Sequence, residues 1–507
     1  MILANGLIRT LDPQVPTQRA LAVAGDLIAG GVGVHETALA SPEVTDLGGR
    51  VVLPGFADAH VHFPTWALAQ TQVALEGCTS LEETLGRVSA AERPPARGWL
   101  RGYGWRAGDW TTGSEPTRAD LDAVTGDVPT ALMARDSHSL WLNTAGLAIA
   151  GGDLETPGGV VERDASGEPT GVLREQAAWR FRERHLAVPD DEYVEAMRLG
   201  IRTANARGVT SVHDKDGWVG ALGLWQRLER RGSLSLRVWQ SFPAGLLPHA
   251  RALRLRSGLG GPLLRLGYVK VFMDGTLGSG TAWRLDGSGV KLTSSDELAA
   301  IIREAAAAGF PVAVHAIGDG ANRAALDAFE TTRAAWAPLG LRQRIEHAQL
   351  LDPADLPRFA SLGVAASVQF SHAPSDRALA ETHWAGRLDG AYAYASLVAS
   401  GAIVANGSDA PIEELDPLAG VRAAVRRTLD GRPAWRPEEA LTVEQAFHST
   451  CVAPAWLTGD ERRRGTLIPG HVADLVVLDR DPWDDLDAEV VATMVAGRWV
   501  HNPPPWD

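Results

Sequence analysis

Short apolar runs, each ending in a polar or charged residue and followed by a helix-like stretch, recur through the middle of the chain. A representative run covers residues 209–214, and alanine-rich stretches with a helical period cover 296–309 and 322–337. The series of eight runs lies at residues 56–62, 130–135, 209–214, 266–272, 311–315, 344–347, 363–369 and 402–409. Alternating β and α units predict a parallel sheet, and eight of them predict an α/β fold closed as a (β/α)8 TIM barrel.

The two ends of the chain have a different pattern, of short β-branched runs bounded by Gly, Asp and Pro. Such runs occur at residues 21–29 near one end and at 473–479 and 490–500 near the other. Because both ends share this style, the sequence predicts a small β-sandwich domain formed by residues 1–55 and 456–507. The barrel, residues 56–455, is then a separate domain inserted between them.

Residues 64 to about 185 do not fit one turn of the barrel. They are rich in Gly, Trp and Arg and contain several turn signals. We interpret them as a large insertion after strand one, which carries strand two within or near it. We expect the tryptophans of this insertion to shape the substrate pocket.

Composition and charge exclude several classes of protein. The chain has 507 residues, 45% of them hydrophobic, enough for a barrel and an accessory domain. Its net charge of −14 is spread along the chain without a basic block, which argues against a nucleic-acid or anionic-membrane partner. The start of the chain lacks a signal-peptide pattern, and no apolar stretch approaches about 20 residues, so we expect a cytoplasmic protein. Cys78 and Cys451 form no Cys-x-x-Cys pair, which argues against a disulfide framework or a thiolate zinc site.

Six polar residues stand at or near the carboxyl ends of predicted strands, where the active sites of such barrels lie. They are His60, His62, Lys270, His315, His347 and Asp409. Each alone has an ordinary structural explanation, such as a core histidine, a salt-bridge lysine or a helix N-cap. Their joint occurrence in ring order favours a metal site. His60 and His62 are two positions apart on one strand and therefore point to the same side. Imidazole nitrogens and a carboxylate suit Zn²⁺ and related divalent ions.

Lys270 requires a chemical change before it can bind a cation, because its ammonium group is itself a cation. Reaction with CO₂ would convert it into a carbamate, whose anionic oxygens can bridge two metal ions. A carboxylated Lys270 is therefore the form in which this residue would act as a metal ligand.

The order His-x-His, Lys, His, His, Asp resembles the amidohydrolase superfamily. The surrounding segments resemble its amidohydrolase-3 branch, which is N-substituted formamide deformylase-like. These segments are residues 53–62, 101–105, 136–143, 171–175, 270–279, 315–320, 344–349, 407–411 and 470–478. They run over nearly the whole chain, in order. One departure is Phe370, which stands where relatives commonly have proline in a Gln-Pro-x-His stretch. The resemblance implies that His60, His62 and Asp409 hold the more buried of one or two metal ions.

The resemblance also implies the remaining roles. A carboxylated Lys270 would bridge to a second ion held by His315 and His347. Metal-activated hydroxide would attack the substrate carbonyl, with Asp409 as the general base that takes the water proton. The implied activity is hydrolysis of a non-peptide C–N bond in a small amide-type molecule. We expect an N-acyl or N-formyl compound with an apolar or aromatic part.

For a further group of polar residues, the sequence leaves more than one role open. Several lie in predicted loops near the same barrel face, where they bind substrate, orient a ligand or simply satisfy loop hydrogen bonds. They are His138, Asp274, His372 and Asp376. Glu175 matches the family without an evident mechanical role. His213, at the end of the predicted third strand, is either a core residue or a support for a ligand.

Three alternatives to an amide hydrolase stay open. A deaminase of the same superfamily typically lacks the strand-four lysine, so Lys270 favours hydrolysis of an amide, a carbamate or a cyclic imide. A non-catalytic regulatory relative could lose metal ligands without penalty, yet all six are present here. An isomerase or decarboxylase on the same scaffold is the third alternative. Barrels of this kind often self-associate, so a homo-oligomer is a possible assembly.

Overall fold

The structure is a computed structural model, and it describes residues 1–29, 43–94, 98–111 and 115–506. The chain divides into two compact units. The first unit comprises Met1–Phe63 and Arg198–Asp507, and the second comprises Pro64–Met197. None of the described helices combines the length and the apolar character that crossing a membrane requires.

The regular elements alternate between strand and helix over most of the chain. The described strands are β1 (Ile2–Ala4), β2 (Leu7–Arg9), β3 (Thr17–Gln18), β4 (Leu21–Ala24), β5 (Leu27–Ile28), β6 (Val44–Asp46), β7 (Val51–Pro54), β8 (Phe56–Val61), β9 (Val73–Ala74), β10 (Leu100–Trp105), β11 (Thr130–Ala134), β12 (Ser139–Leu142), β13 (Gly159–Arg163), β14 (Pro169–Glu175), β15 (Val209–Asp214), β16 (Arg237–Pro243), β17 (Leu264–Phe272), β18 (Val312–Ala316), β19 (Arg344–His347), β20 (Ala365–Val368), β21 (Val404–Asn406), β22 (Leu475–Leu478), β23 (Val490–Val495) and β24 (Arg498–His501).

The helices connect these strands. The described α-helices are α1 (Phe63–Ala69), α2 (Leu81–Ala90), α3 (Arg118–Thr125), α4 (Thr144–Ile149), α5 (Gln176–His185), α6 (Asp190–Ala206), α7 (Ala221–Arg230), α8 (Leu247–Ala252), α9 (Ser295–Ala307), α10 (Asp319–Thr331), α11 (Arg333–Trp336), α12 (Leu356–Leu362), α13 (His372–Ser375), α14 (Arg377–His383), α15 (Tyr394–Ala399), α16 (Pro417–Arg426), α17 (Val443–Phe447) and α18 (Ala453–Leu457). Local sequence explains several helix starts. At α9 the Ser294 hydroxyl accepts the Glu297 N–H, and at α17 Thr442 and Gln445 form a capping box.

Eight strands form one parallel barrel sheet in the order β8, β15, β16, β17, β18, β19, β20, β21. Every residue of β8, β15, β18, β19, β20 and β21 is buried. Such burial on both faces is the pattern of parallel strands that have helices outside and side-chain layers inside. The predicted (β/α)8 barrel is therefore confirmed.

The first and last barrel strands meet through the residues that follow β21. The Asp409 N–H donates to the His60 carbonyl at 2.7 Å, and the His62 N–H donates to the Ala410 carbonyl at 2.9 Å. Glycine is required beside this seam, because a Cβ on Gly407 would lie 2.4 Å from the His60 backbone nitrogen. The closing seam of the barrel thus runs through residues that the sequence singles out for chemistry.

The predicted second strand was wrong. Residues 130–134 form β11, which belongs to a six-stranded sheet of the second unit and not to the barrel. The second barrel strand is β15, and the third is β16 (Arg237–Pro243), which the hydrophobic pattern did not reveal. Arg237, Gln240 and Ser241 are buried polar residues in β16, so this strand does not read as an apolar run.

Strands from both chain ends form two further sheets, in the orders β5-β4-β1-β6 and β24-β23-β22-β7-β2-β3. The Arg237 side chain joins the barrel to these sheets, because its Nε lies 2.5 Å from Asp474 Oδ2, one residue before β22. Both side chains are less than a tenth exposed. The predicted domain boundaries at residues 55 and 456 stay a prediction.

The second unit contains a mixed sheet in the order β13-β14-β12-β11-β10-β9. Trp105, Trp110 and Trp141 are buried there, with ring centroids 5.9 to 6.3 Å apart. These three indoles therefore form part of the core of this unit. The insertion expected for residues 64 to about 185 falls within it. Cys78 in this unit and Cys451 in the first unit are buried free thiols.

Candidate metal centre

The barrel brings most of the six singled-out residues to the carboxyl ends of its strands. His60 lies in β8, Lys270 in β17, His315 in β18 and His347 at the end of β19. His62 follows β8, and Asp409 lies three residues beyond β21. Parallel strands present their carboxyl ends at one edge of a barrel, so these side chains share one face.

Asp409 is the residue around which the histidines gather. Its Oδ1 lies 3.3 Å from His60 Nε2 and 3.4 Å from His62 Nε2, and its Oδ2 lies 3.9 Å from His347 Nδ1. One ligand atom from each of His60, His347 and Asp409 lies within 4.8 Å of the others. This spacing suits a single ion placed among them.

His315 and Lys270 extend the same array. The His315 ring lies 4.5 Å from the His347 ring, and its Nε2 lies 3.1 Å from the Gly275 carbonyl oxygen. If Nε2–H donates to that oxygen, Nδ1 is the nitrogen with the lone pair. Lys270 is buried, with Nζ 4.9 Å from the centroid of the Phe272 ring. Burial lowers the pKa of the Lys270 amine, against the opposing pull of the Glu346 and Asp409 carboxylates.

Three of the imidazoles are each held by an oxygen acceptor on Nδ1, at 2.8 or 2.9 Å. The pairs are His60 with Glu346, His62 with Asp216, and His347 with Gln369. An oxygen acceptor fixes the ring orientation and requires a proton on Nδ1, so a neutral ring carries its lone pair on Nε2. This is the tautomer in which Nε2 binds a metal ion.

The contact between His60 and Asp409 fits a cation. His60 Nε2 is buried and finds no hydrogen-bond partner among the residues that the structure describes. Burial lowers the pKa of His60 to about 4, so the ring is neutral at pH 7 and Nε2 is a bare lone pair. That lone pair and a carboxylate oxygen 3.3 Å apart are two acceptors facing each other. A divalent ion shared by both atoms removes this repulsion.

His62 and Asp409 form an ion pair of opposite character. Burial alone would lower the pKa of His62, but hydrogen bonds to Asp216 and Asp409 raise it to about 10. Burial alone would raise the pKa of Asp409, but the histidines His60, His62 and His347 hold it well below its usual range. Asp409 is therefore a carboxylate at neutral pH, and its charge is available to a cation.

The backbone at two of these residues is strained. His347 has φ 74° and Asp409 has φ 60°, the left-handed region that residues with a Cβ rarely adopt. Each such residue costs about 1–3 kcal/mol and persists only where the surroundings fix it. Both strained residues belong to the cluster, which is where strain of this kind is commonly found.

Asp58 connects β8, which carries His60, to the segment after β21 that carries Asp409. Its Oδ1 accepts the N–H groups of His60 and Ser408 at 3.0 Å each, and its Oδ2 accepts the Ser408 hydroxyl at 2.5 Å. The Asp58 side chain thus fixes residues next to the closing seam. It positions the site without taking part in the cluster itself.

Sequence reasoning missed four residues that hold the imidazoles or their strands. They are Asp58, Asp216, Glu346 and Gln369. Asp58 carried a signal, because the alternation Asp-x-His-x-His puts it on the same strand face as His60 and His62. Glu346 directly precedes His347, but nothing in the pattern distinguished it from an ordinary strand-end carboxylate.

His372 lies beside the cluster. Its Nδ1 is 3.1 Å from Gln349 Nε2, its buried Nε2 is 4.0 Å from Asp409 Oδ2, and its ring is parallel to that of His347 with centroids 6.5 Å apart. The departure at Phe370 is explained locally. The Phe370 N–H donates to Asn406 Oδ1 at 3.1 Å, a bond that proline cannot make.

The other residues whose roles the sequence left open form hydrogen bonds within the fold. Asp274 accepts the N–H groups of Ile317, Gly318 and Trp283, and thereby anchors the chain after β17 to the end of β18. His213 is fully buried, with Nδ1 3.2 Å from Arg344 Nη1, and it ends the second barrel strand rather than the third.

Asp376, His138 and Glu175 also have hydrogen-bond partners. The Tyr392 hydroxyl donates to Asp376 Oδ2 at 2.8 Å. Within the second unit, His138 Nδ1 lies 2.8 Å from Glu175 Oε2. Two segments that resemble the family are thereby joined as a half-buried pair.

Two aromatic side chains stand next to the histidines. The Trp218 ring lies 5.3 Å from the His62 ring and 6.0 Å from the Phe272 ring, and Phe272 lies 5.1 Å from His315. Trp218 is 47% exposed, which is unusual for so large an apolar side chain. An apolar surface therefore extends from the metal cluster toward solvent.

The eight-stranded parallel barrel, with imidazoles and a carboxylate gathered at the carboxyl ends of its strands, fits the fold of a metal-dependent hydrolase. The chain belongs to the amidohydrolase family, whose model matches residues 43–501. The resemblance inferred from the sequence is confirmed by this match.

Two curated relatives match nearly the full chain. The protein LONG AFTER FAR-RED 3 of Arabidopsis thaliana is 31% identical, over 99% of this chain and 91% of that protein. N-substituted formamide deformylase of Arthrobacter pascens is 29% identical, over 99% of this chain and 97% of that enzyme. A solved structure, an uncharacterized metal-dependent hydrolase from Pyrococcus furiosus, is 30% identical with a TM-score of 0.77, over 95% of this chain and 99% of that one.

Proposed function

We propose that the protein is a metal-dependent hydrolase that cleaves a non-peptide, amide-type C–N bond in a small molecule. The observation that carries the proposal is the apposition of His60 Nε2, which has no hydrogen-bond partner among the described residues, and the Asp409 carboxylate, 3.3 Å apart and buried. Without a cation this contact is unfavourable, whereas with one it becomes a pair of ligands.

Six residues would hold the metal. His60, His62 and Asp409 would bind the more buried ion. Lys270, His315 and His347 would complete a second position, and Zn²⁺ is the ion that this set of donors suits best. When bound, such an ion polarises a carbonyl group and acidifies water.

Asp409 is the residue we assign as general base. It is ionised, and its two oxygens have different neighbours. Oδ1 contacts His60, whereas Oδ2 faces His347 and His372. One oxygen can therefore serve as a ligand while the other takes a proton from the attacking water. The same oxygen can return that proton to the leaving nitrogen, so that the amine departs neutral.

Lys270 would act as a carbamate. Burial favours its neutral amine, which is the form that attacks CO₂. The amine nitrogen forms a bond to the CO₂ carbon as one C–O π bond opens, and the nitrogen releases one proton to water. The resulting carbamate carries one negative charge shared by its two oxygens. That anion is a ligand, which the ammonium group is not.

The aromatic surface supports a substrate with an apolar or aromatic substituent. Trp218 and Phe272 offer their rings beside His62 and His315, where a flat group attached to the reacting amide can stack. The similar enzyme of Arthrobacter pascens is named for N-substituted formamides. N-aryl and N-benzyl formamides, followed by other N-acyl amines, are accordingly the first compounds to test.

The test is metal content together with hydrolysis. Protein purified without chelator is expected to contain one to two equivalents of zinc or a similar ion per chain and to hydrolyse a member of the amide panel. Lys270→Ala is expected to lose metal and at least a hundredfold in rate. Lys291→Ala, which removes an exposed lysine, is the matched control and should retain both. A folded wild-type protein that refuses added zinc would contradict the proposal and favour a non-catalytic, regulatory role.

A further inference from the structure

A cluster of three charged side chains lies behind His60, on the side away from Asp409. Arg344 Nε is 2.8 Å and Lys215 Nζ is 3.3 Å from Oε1 of Glu346, and all three side chains have no exposed surface. The other oxygen, Oε2, is 2.8 Å from His60 Nδ1. The Arg344 guanidinium also lies over the Tyr268 ring, 4.3 Å from its centroid, and reaches the Ala59 carbonyl at 3.1 Å. We call Lys215, Arg344 and Glu346 the anchor cluster.

Lysine is a rare residue in this chain, which makes Lys215 in the anchor cluster unusual. Of 48 lysines and arginines, only Lys215, Lys270 and Lys291 are lysines. Two of those three are buried at the carboxyl ends of barrel strands, while the surface positive charge is carried almost entirely by arginine. General surface solubility therefore does not explain Lys215. A compact ammonium beside Glu346 has a local purpose.

Burial of the anchor cluster costs hydration free energy, so a contribution to stability does not explain its presence. Charges removed from water lose their hydration, and an apolar core of the same volume is often as stable or more stable. The cluster also bears two positive charges against one negative charge. Both cations contact Oε1 of Glu346, and the other carboxylate oxygen, Oε2, faces His60. The His60 imidazole is therefore the group on which the anchor cluster acts.

We propose that Glu346, fixed by Arg344 and Lys215, is a positioning residue that keeps the proton of His60 on Nδ1 and so reserves Nε2 for a metal ion. This inference rests on the proposed function, because it assigns Nε2 to that ion. The alternative tautomer carries its proton on Nε2, where Asp409 Oδ1, 3.3 Å away, would accept it. His60 thus stands between two competing carboxylates, and Glu346 decides which of them receives the N–H.

Removal of the acceptor should release the competing tautomer. In Glu346→Ala, the His60 proton moves to Nε2 and bonds to Asp409, so a metal ion must displace it first. We expect zinc affinity to fall about 10–100-fold, the range typical of partners that orient metal-bound histidines. Glu346→Gln keeps an oxygen acceptor and should recover much of that loss. A purely structural role would not give this order of affinities.

The control is a second buried ion pair in the same unit. Asp474→Asn disrupts the contact with Arg237, which lies between the barrel and the terminal sheets and touches none of the six candidate ligands. It should lower the melting temperature while leaving zinc affinity within about threefold of wild type. If Glu346→Ala does not fold, Lys215→Met removes one of the two cations that hold Glu346, and it should weaken zinc binding while the control does not.

The measurement is the zinc dissociation constant of the full chain, by competition with a chromophoric chelator. Wild-type affinity in Glu346→Ala, or in Lys215→Met if that is the variant that folds, would overturn the inference even if the enzyme is active. Equal losses in Glu346→Ala and Glu346→Gln would also overturn it, because the oxygen acceptor would then not matter. A wild-type protein that binds no zinc, or binds it and hydrolyses none of the amide panel, would instead contradict the proposed function.

Discussion

His60 and His62 face Asp409 with the same atom, Nε2, yet their environments set opposite protonation. Both are held through Nδ1 by a carboxylate. His60 is 1% exposed, and its burial lowers its pKa, whereas the two carboxylates around His62 raise the pKa of His62 to about 10. At neutral pH only His62 of this pair carries a second proton, and a metal ion bound to its Nε2 must displace that proton.

Zinc affinity should therefore increase with pH. The folded pKa of His62 lies above its usual value, so the proton is bound throughout neutral pH and is lost only as pH rises toward about 10. Each pH unit below that value should weaken zinc binding by about tenfold through this residue alone. Dissociation constants measured from about pH 6 to about pH 8 test this expectation.

Asp216→Asn provides the comparison for this pH dependence. It removes one of the two charges that hold the His62 proton, so the pKa of His62 should fall and the zinc affinity should level off at a lower pH than in the wild-type protein. An affinity that does not change with pH in the wild-type protein would show that His62 does not ligate the metal through Nε2.

At the scale of elements, the closing seam between β8 and β21 decides whether the site forms. Gly407→Ala would place a Cβ 2.4 Å from the His60 nitrogen, and backbone atoms cannot give way as a flexible side chain does. We expect a loss of about 1–3 kcal/mol in the free energy of unfolding. Zinc affinity should fall as well, because the displaced backbone carries His60. Urea unfolding and chelator competition measure the two effects.

The matched control is a glycine in open space. A Cβ on Gly223, within α7, would meet nothing within 4 Å. Gly223→Ala should therefore raise stability by about 0.4–1 kcal/mol, since it restricts the unfolded chain. If Gly407→Ala behaved like Gly223→Ala, the tight approach at the seam would have no energetic importance.

The barrel strands that are apolar runs could be predicted from the sequence. A strand whose buried residues include a charge that needs a distant partner could not. Seven of the eight runs coincide with barrel strands, but 130–135 has the same apolar character and folds into another sheet. β16 was missed because Arg237 interrupts its apolar run, and the carboxylate that pairs with this buried charge, Asp474, is 237 residues away. No local window of sequence contains that partner.

The candidate site divides in the same way. The residues that gather around Asp409 could be found because they end strands, and strand ends converge in a barrel. Glu346 and Gln369 could not, because their significance is the distance to an imidazole on another strand. Lys215 follows β15 directly, yet a pattern alone does not indicate which strand-end residue points into the barrel.

At the scale of the first compact unit, Arg237 and Asp474 join the barrel to the terminal sheets. Removing one member of a buried pair leaves the other charge unpaired, so Asp474→Asn should lower the free energy of unfolding by about 3–5 kcal/mol. Denaturant unfolding measures this change. For comparison, Asp487→Asn disrupts an exposed pair with Arg426 and should change stability by less than about 1 kcal/mol. Equal effects of the two substitutions would contradict the assigned role.

The hydrogen bonds that Ser408 donates to Asp58 also set an order of assembly. The two residues are 350 positions apart, so the contact closes one of the longest loops in the chain. During synthesis, His60 and His62 emerge early and the Asp409 carboxylate beyond β21 emerges late. A nascent chain that ends before Gly407 has its first imidazoles in place but lacks the group that gathers them. The candidate metal site is thus completed only after about four fifths of the protein has been made.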